Sequence, residues 1–175
     1  MTVVSTCLHS IHPRATRWRF WLVIGLLSTV MYGALSTALS HFRIGFSNEA
    51  EQSVGSAWTL VRLGRGPVLP GHYAAIAIDN RVGHGFAPGT WFVKKVVGQP
   101  GDLVVVATDE TMVNGKRVAG PLDIPTPQRN VADPVRTFVL GPGDYFVVGT
   151  RPHSLDSRYW GPVKVNQFMG QATLL

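Results

Sequence analysis

From residue 20 to residue 39 the chain reads FWLVIGLLSTVMYGALSTAL, without one Lys, Arg, Asp, Glu or His. A helix of about 20 residues spans about 30 Å, the thickness of a bilayer's hydrocarbon core. Gly25, Gly33 and the Ser and Thr residues suit such a helix, because small residues are common in membrane spans. A cleaved secretory leader has an apolar core of only about 7–15 residues, so the length favours a retained anchor. After residue 57 the period changes to that of strands: short β-branched or alternating runs, cut by Gly and Pro. They fall at 58–63, 73–78, 91–97, 103–108, 112–118, 137–140 and 145–149, with one or two closing strands after Trp160. Asn114-Gly115 marks a tight hairpin. The prolines within 120–134 predict a loop or the edge of a subdomain. No amphipathic helix outside the membrane and no internal repeat is expected.

These patterns divide the chain. Residues 1–19 form an N-terminal segment, 20–39 a transmembrane helix and 40–57 a connector. Residues 58–175 form a mostly β domain, within which 103–140 makes a small subdomain.

Composition changes this picture little. An apolar share of 45% in 175 residues fills one domain core. Charge adds a direction. Arg14, Arg17 and Arg19 precede the span, whereas Arg43 alone follows it closely, with Glu49 and Glu51 beyond. The positive-inside bias puts the N-terminus in the cytoplasm and everything after Ser40 outside. Cys7, the sole cysteine, falls on the inner side, so no disulfide within the chain and no multi-cysteine metal site can form. The net charge of +6 invites a nucleic-acid reading. No compact basic stretch with interleaved aromatics supports it, and a basic face meeting anionic headgroups accounts for the charge.

Two segments carry the chemistry. The first is Phe92-Val93-Lys94-Lys95-Val96-Val97-Gly98-Gln99-Pro100-Gly101-Asp102. Strand alternation puts Phe92, Lys94 and Val96 on one face and Val93, Lys95 and Val97 on the other. An amine acts as a base only when deprotonated, so its pKa must fall from about 10.4 toward neutrality, and desolvation does this. The alternation leaves open which lysine is buried, and a bare lysine pair more often lies solvated on an edge strand. The second segment is His153-Ser154-Leu155-Asp156-Ser157-Arg158-Tyr159-Trp160-Gly161. By themselves an Asp and an Arg two apart make a local ion pair of small worth.

Both segments resemble signature boxes of the type I signal peptidases (leader peptidases), serine proteases with a lysine base. In that family the first box reads Tyr/Phe-Ile/Val-Lys-Arg-Val-Val-Gly-x-Pro-Gly-Asp, and its first basic residue is catalytic. The resemblance makes Lys94 the general base and puts Lys95 where an arginine is usual. The last box reads Asn-Ser-x-Asp-Ser-Arg-x-Trp/Tyr-Gly, and His153 here replaces the asparagine. By the same resemblance Ser154 orients the lysine, and Asp156 and Arg158 form a structural pair near the site.

The nucleophile box matches less well. Leader peptidases carry Ser-Gly-Ser-Met-x-Pro-Thr-Leu, where this chain has Gln52-Ser53-Val54-Gly55-Ser56-Ala57-Trp58-Thr59-Leu60. A related branch, the TraF-type peptidases of conjugative transfer, carries Asn-x-x-x-Ser-x-Pro-x-Gly-x-Tyr. Asn48 suits that opening and Trp58 stands for the tyrosine, with a one-residue shift needed to reach Ser53. Ser56 keeps the Gly-Ser dipeptide but nearly abuts the next strand. Ser53 is the favoured nucleophile and Ser56 the alternative, though a connector serine taken alone is more often a solvated loop residue. The nucleophile's own N–H is the natural oxyanion donor. The family's second donor would fall at Glu51, which cannot donate when ionised, so that role has no residue. No Gly-x-Ser-x-Gly elbow, His-Glu-x-x-His or phosphate loop is present, and His72, His84 and His153 are scattered loop histidines. Neither a metal nor a cofactor is expected.

The resemblance implies a twisted, mostly antiparallel β fold with its site beside the membrane, in a single-pass protein of the bacterial inner membrane. Such enzymes bind an extended precursor by strand addition. Trp91, Phe92 and Val93 would form one wall of the groove and the connector before Trp58 the other. The small size, the Asn48 opening and Tyr159-Trp160-Gly161-Pro162-Val163 look more like the TraF type. That branch processes pilin precursors for type IV secretion, and some members join the new ends into a circle. The expected partners are a precursor polypeptide such as a pilin, the lipid bilayer and other transfer or secretion proteins, with no nucleic acid. The alternatives are a housekeeping signal peptidase and a catalytically inactive membrane component of the transfer apparatus.

Overall fold

The structure is a computed structural model that describes residues 14–47, 53–82, 86–122 and 135–175, with side chains from Arg17 onward. It comprises two compact units, Met1–Ser40 and His41–Leu175. Helix α1 (Arg14–His41) holds the predicted span. An 18-residue window within Arg17–His41 has a mean hydropathy of 1.8, and none of that window is buried. Length and composition therefore allow it to cross a membrane. Two hydroxyls within the span are satisfied by the helix itself: Thr29 donates to the Gly25 carbonyl and Thr37 to that of Gly33, each at 2.8 Å.

The second unit is two antiparallel sheets. Strand β1 (Phe42–Phe46) lies inside the stretch expected to be a connector. It pairs with β2 (Trp58–Leu63), Phe42 opposite Arg62 and Phe46 opposite Trp58, and the last two rings meet at a tilt with their centroids 4.8 Å apart. Next come β3 (Tyr73–Ala77) and β4 (Trp91–Gly98). The second sheet follows in sequence: β5 (Leu103–Val106), β6 (Thr111–Val113), β7 (Lys116–Ala119) and β8 (Arg136–Val139). The chain returns to the first sheet through β9 (Asp144–Val148). A single helical turn α2 (Ser157–Trp160), then β10 (Val163–Lys164) and β11 (Phe168–Leu174), complete it. The seven-stranded sheet runs β1-β2-β11-β3-β4-β9-β10, and the four-stranded one β7-β6-β5-β8. Helix α2 lies outside the span, but all four of its residues are buried, so it is not an amphipathic helix. One turn is too short to display a helical period.

Strand β9 joins the two layers. Its alternate residues Tyr145 and Val147 pack into a core with Ile76, Val96 and Phe168. Phe146 and Val148 enter the other core, with Val104, Val106 and Val113 of the second sheet. A strand buried on both faces is apolar throughout rather than alternating, as Tyr145-Phe146-Val147-Val148 is. The turn after β4 is fixed by its side chains. Asp102 accepts from the Gln99 amide and from Asn114 Nδ2, each at 2.8 Å. Asn114 and Gly115, with φ of 50° and 76°, make the two-residue hairpin that their sequence predicts.

Candidate active site

Lys94 lies in the middle of β4, fully buried, while Lys95 is only partly covered. Register explains the choice between them. Lys94 stands opposite Ala74, itself completely buried, and shares its face with Phe92 and Val96, which belong to the main core. That face meets the segment that follows β9 and carries Ser154, a long-range contact that strand alternation alone does not reveal. Lys94 Nζ donates to Ser154 Oγ at 2.8 Å and lies 5.2 Å from the centroid of the Phe92 ring. Burial drives the Lys94 pKa from 10.5 down to about 7; Asp156 pulls it up and Arg158 pushes it down.

Ser154 is held by the residues around it. Asp156 caps α2 and accepts from the Arg158 amide at 3.2 Å and from Arg158 Nε at 2.8 Å. Its other oxygen accepts from Arg158 Nη2 at 2.9 Å and from the Gly149 amide at 2.8 Å. Arg158 then donates through Nη2 to the Ser154 carbonyl at 3.2 Å and through Nη1 to that of Pro121 at 3.2 Å. The sequence suggests an ion pair of small worth, but this one is 0–2% exposed. Removing one partner of such a pair costs about 3–5 kcal/mol, because the other charge stays buried alone.

Gly149 is a site residue that sequence reasoning missed. A Cβ there would overlap Ser154 Oγ and sit 2.7 Å from the Ser53 carbonyl oxygen. Ser53 and Ser154 therefore meet over the Gly149 Cα, in the space a side chain would fill. The only signal in the sequence is the glycine that ends the run Tyr145-Phe146-Val147-Val148-Gly149.

The two candidate serines have different surroundings. The Ser53 carbonyl accepts from the Thr150 amide at 2.8 Å and that of Arg151 at 3.4 Å, which ties its backbone to the turn before Ser154. Its hydroxyl has no hydrogen-bond partner among the described residues. Ser56 Oγ lies 2.7 Å from the Leu175 carbonyl oxygen and 2.9 Å from that of Trp58, and it accepts from the Trp58 amide at 3.2 Å. Ser56 pins the end of β11 to β2. Asn48, Glu51 and His84 lie outside the described residues.

A groove of about 720 Å³ runs past Ser53. Trp91, Phe92 and Val93 line it on one side, and Ile44 and Phe46 of β1 on the other. The second wall is thus more than a connector: a strand contributes, beside Ser53 and Val54. β4 pairs with β3 along Trp91–Val93, but β9 joins it only from Lys95 onward. One backbone edge of that stretch is therefore left open for an added strand. His153, the departure from the asparagine of the box, is exposed in the groove. Among the described residues no group of three His, Cys, Asp or Glu side chains could hold a metal ion.

Comparison with known proteins agrees with this arrangement. Signal peptidase I V of Bacillus subtilis (strain 168) is 34% identical over 89 residues, which are 45% of this chain and 53% of that protein. Signal peptidase I of Bacillus caldolyticus is 40% identical over 91 residues, 46% of this chain and 50% of that one. A probable signal peptidase I-2 of Synechocystis is 37% identical over 83 residues, 46% of this chain and 36% of its own. The chain spans about half the length of the Bacillus relatives. A solved signal peptidase I from Enterococcus faecalis V583 is 26% identical; the match covers 63% of this chain and 100% of that one, with a TM-score of 0.41. The family model described as "Signal peptidase, peptidase S26" matches residues 17–175, and the chain belongs to that family.

Proposed function

We propose that this protein is a membrane-anchored serine endopeptidase that removes leader peptides from exported precursors, with Ser53 as nucleophile and Lys94 as base. One observation carries the reading: a fully buried lysine, its Nζ held at 2.8 Å by Ser154, lies beside a groove that contains Ser53. With a pKa of about 7 the amine is about half neutral at pH 7. Neutral Nζ takes the proton of Ser53 Oγ as that oxygen attacks the scissile carbonyl, and the ammonium returns it to the leaving amine. Water then attacks the acyl-enzyme with the same amine as base. Ser154 fixes the approach of Nζ in both halves of the reaction. The Ser53 N–H is assigned to the developing oxyanion. The precursor is an extended segment added to the open edge of Trp91–Val93 and faced by β1.

Ser53 is preferred over Ser56 because the Ser56 hydroxyl is committed to backbone carbonyls at 2.7 and 2.9 Å. Cleavage of a purified precursor by full-length protein in detergent tests the reading. Ser53→Ala is expected to abolish it, and activity that persists in both Ser53→Ala and Ser56→Ala would sink the assignment. Loss only in Ser56→Ala would transfer the role to that residue.

The anchor runs through the membrane with the N-terminus inside, on the strength of Arg14, Arg17 and Arg19 before the apolar stretch. Cys7 is then protected from an impermeant thiol reagent in intact spheroplasts; labelling there would reverse the topology. As for the range of precursors, the relatives are signal peptidases I, and a general leader peptidase is the simpler reading. A pilin-specific enzyme of conjugative transfer is the second, supported by Asn48 and by Tyr159-Trp160-Gly161-Pro162-Val163. A mixture of precursors separates the two: many cut, or one.

A further inference from the structure

The turn before Ser154 borders two cavities. Ser53, His153 and Leu155 line the groove, whereas Gly149, Thr150, Arg151 and Pro152 line a second cavity of about 390 Å³. Val148 and the end of β7, at Val118 and Ala119, form its apolar walls. Among the described residues, every charged one lining it is basic: Lys95, Arg151 and Arg158. Arg158 is neutralised by Asp156. Lys95 differs, because it is partly buried and has no carboxylate or other hydrogen-bond partner among the described residues. An ammonium half covered and without a counter-ion among the described residues has lost some of its water and gained no charge from them in exchange. Such a position favours a carboxylate brought by another molecule.

The cavity is also close to the reaction. The amides of Thr150 and Arg151, which line it, hold the carbonyl of Ser53 itself. In the reading proposed above, the leader side of the precursor occupies the groove between β1 and β4. The chain leaving the other side of Ser53 then meets the turn at 149–152. We infer that the second cavity is a subsite for the mature side of the precursor, where Lys95 selects an Asp or Glu within the first few residues after the scissile bond. Lys95 is thus a specificity-determining residue, on the opposite face of β4 from the amine that does the chemistry. The inference rests on the assignment of Ser53 as nucleophile.

The test uses the full-length protein in detergent and precursor peptides that carry Glu or Gln at each of the first five mature positions. At one position Glu should be cut with a kcat/KM about fivefold higher than Gln, the size of a partly exposed charge pair. That ratio should fall to unity in Lys95→Met and in Lys95→Gln, survive in Lys95→Arg, and shrink as salt is raised. Two neutral variants are used so that a folding defect in one, read from its thermal midpoint, leaves the other. Equal cleavage of Glu and Gln peptides at all five positions overturns the inference. So does a Glu preference that persists in the neutral variants. If these variants change only the response to phosphatidylglycerol vesicles and not the Glu/Gln ratio, the cavity holds a lipid headgroup and the proposal falls. Cleavage that survives Ser53→Ala breaks the underlying reading instead, whereas Ser53-dependent cleavage without discrimination breaks this inference alone.

Discussion

The two halves of the site are built differently. The proposed base half is a mid-strand lysine, a buried hydroxyl, a buried ion pair and a glycine without room for a Cβ, carried by β4 and by the segment that runs from the end of β9 into α2. The proposed nucleophile half is a partly exposed serine whose backbone is tied to the turn while its hydroxyl has no hydrogen-bond partner among the described residues. The difference follows from the work each half does. A lysine becomes a base only where the whole fold excludes water, so its surroundings must be numerous and rigid. A serine needs only to be near that amine and reachable by a precursor. Its segment therefore constrains sequence weakly, and a departure from the family's nucleophile box is compatible with a well-kept base.

The sharpest way to break this comparison is to remove one member from each half. Lys94→Met, Lys94→Arg and Ser53→Ala should each lower kcat by about three orders of magnitude or more, since members of a dyad act as a unit. Arg fails because a guanidinium stays protonated. Near-normal cutting by Lys94→Arg would eliminate the Ser/Lys mechanism. The two sites should part company in stability. The folded pKa of about 7 lies below the unfolded 10.5, so between these values the unfolded chain binds more protons and stability rises with pH. The penalty is fully present at and below pH 7. Lys94→Met should therefore raise the thermal midpoint more at pH 7 than at pH 10, whereas Ser53→Ala should leave it nearly unchanged at both.

A smaller effect is expected where the halves touch. In Gly149→Ala the new methyl meets Ser154 Oγ and the Ser53 carbonyl together, and a displacement of about 1 Å costs about 100-fold in rate. A fully active Gly149→Ala would show that the contact is not needed. Next in size is the pH dependence of the parent enzyme. Cleavage should fall about tenfold per unit below pH 7 and level off above it, as expected for a base that must lose its proton. A flat profile from pH 5 to 9 would deny Lys94 that role. The smallest effect belongs to Ser56→Ala, which should lose about 1 kcal/mol of stability in denaturant unfolding through its bonds to Leu175 and Trp58, with kcat unchanged.

How much of this was legible follows the same division. The strand at 58–63 and the Asn114-Gly115 hairpin stand where the alternation and turn residues put them, because both are local signals. Strand β1 was hidden in the expected connector, since its five residues include a glycine and acquire their pairing only when β2 arrives. The two lysines of β4 were distinguishable as faces but not as buried or exposed, because β9 and α2 decide that from more than fifty residues away. As bare residues, Asp156 and Arg158 suggest only a local ion pair of small worth, and their burial is hidden for the same reason. Gly149 was invisible. What singles it out is the atom that would collide with a side chain, and no local sequence pattern contains that information.

The burial of Lys94 also has a bearing on ionic strength. Its set-point near neutrality comes chiefly from exclusion of water, and the carboxylate and guanidinium beside it push in opposite directions. Dissolved ions screen charges that they can approach, and they have little access to a fully buried amine flanked by a neutralised pair. The working pH of the proposed base is therefore held by packing rather than by charge, and it should stay in place as the salinity of the surroundings changes.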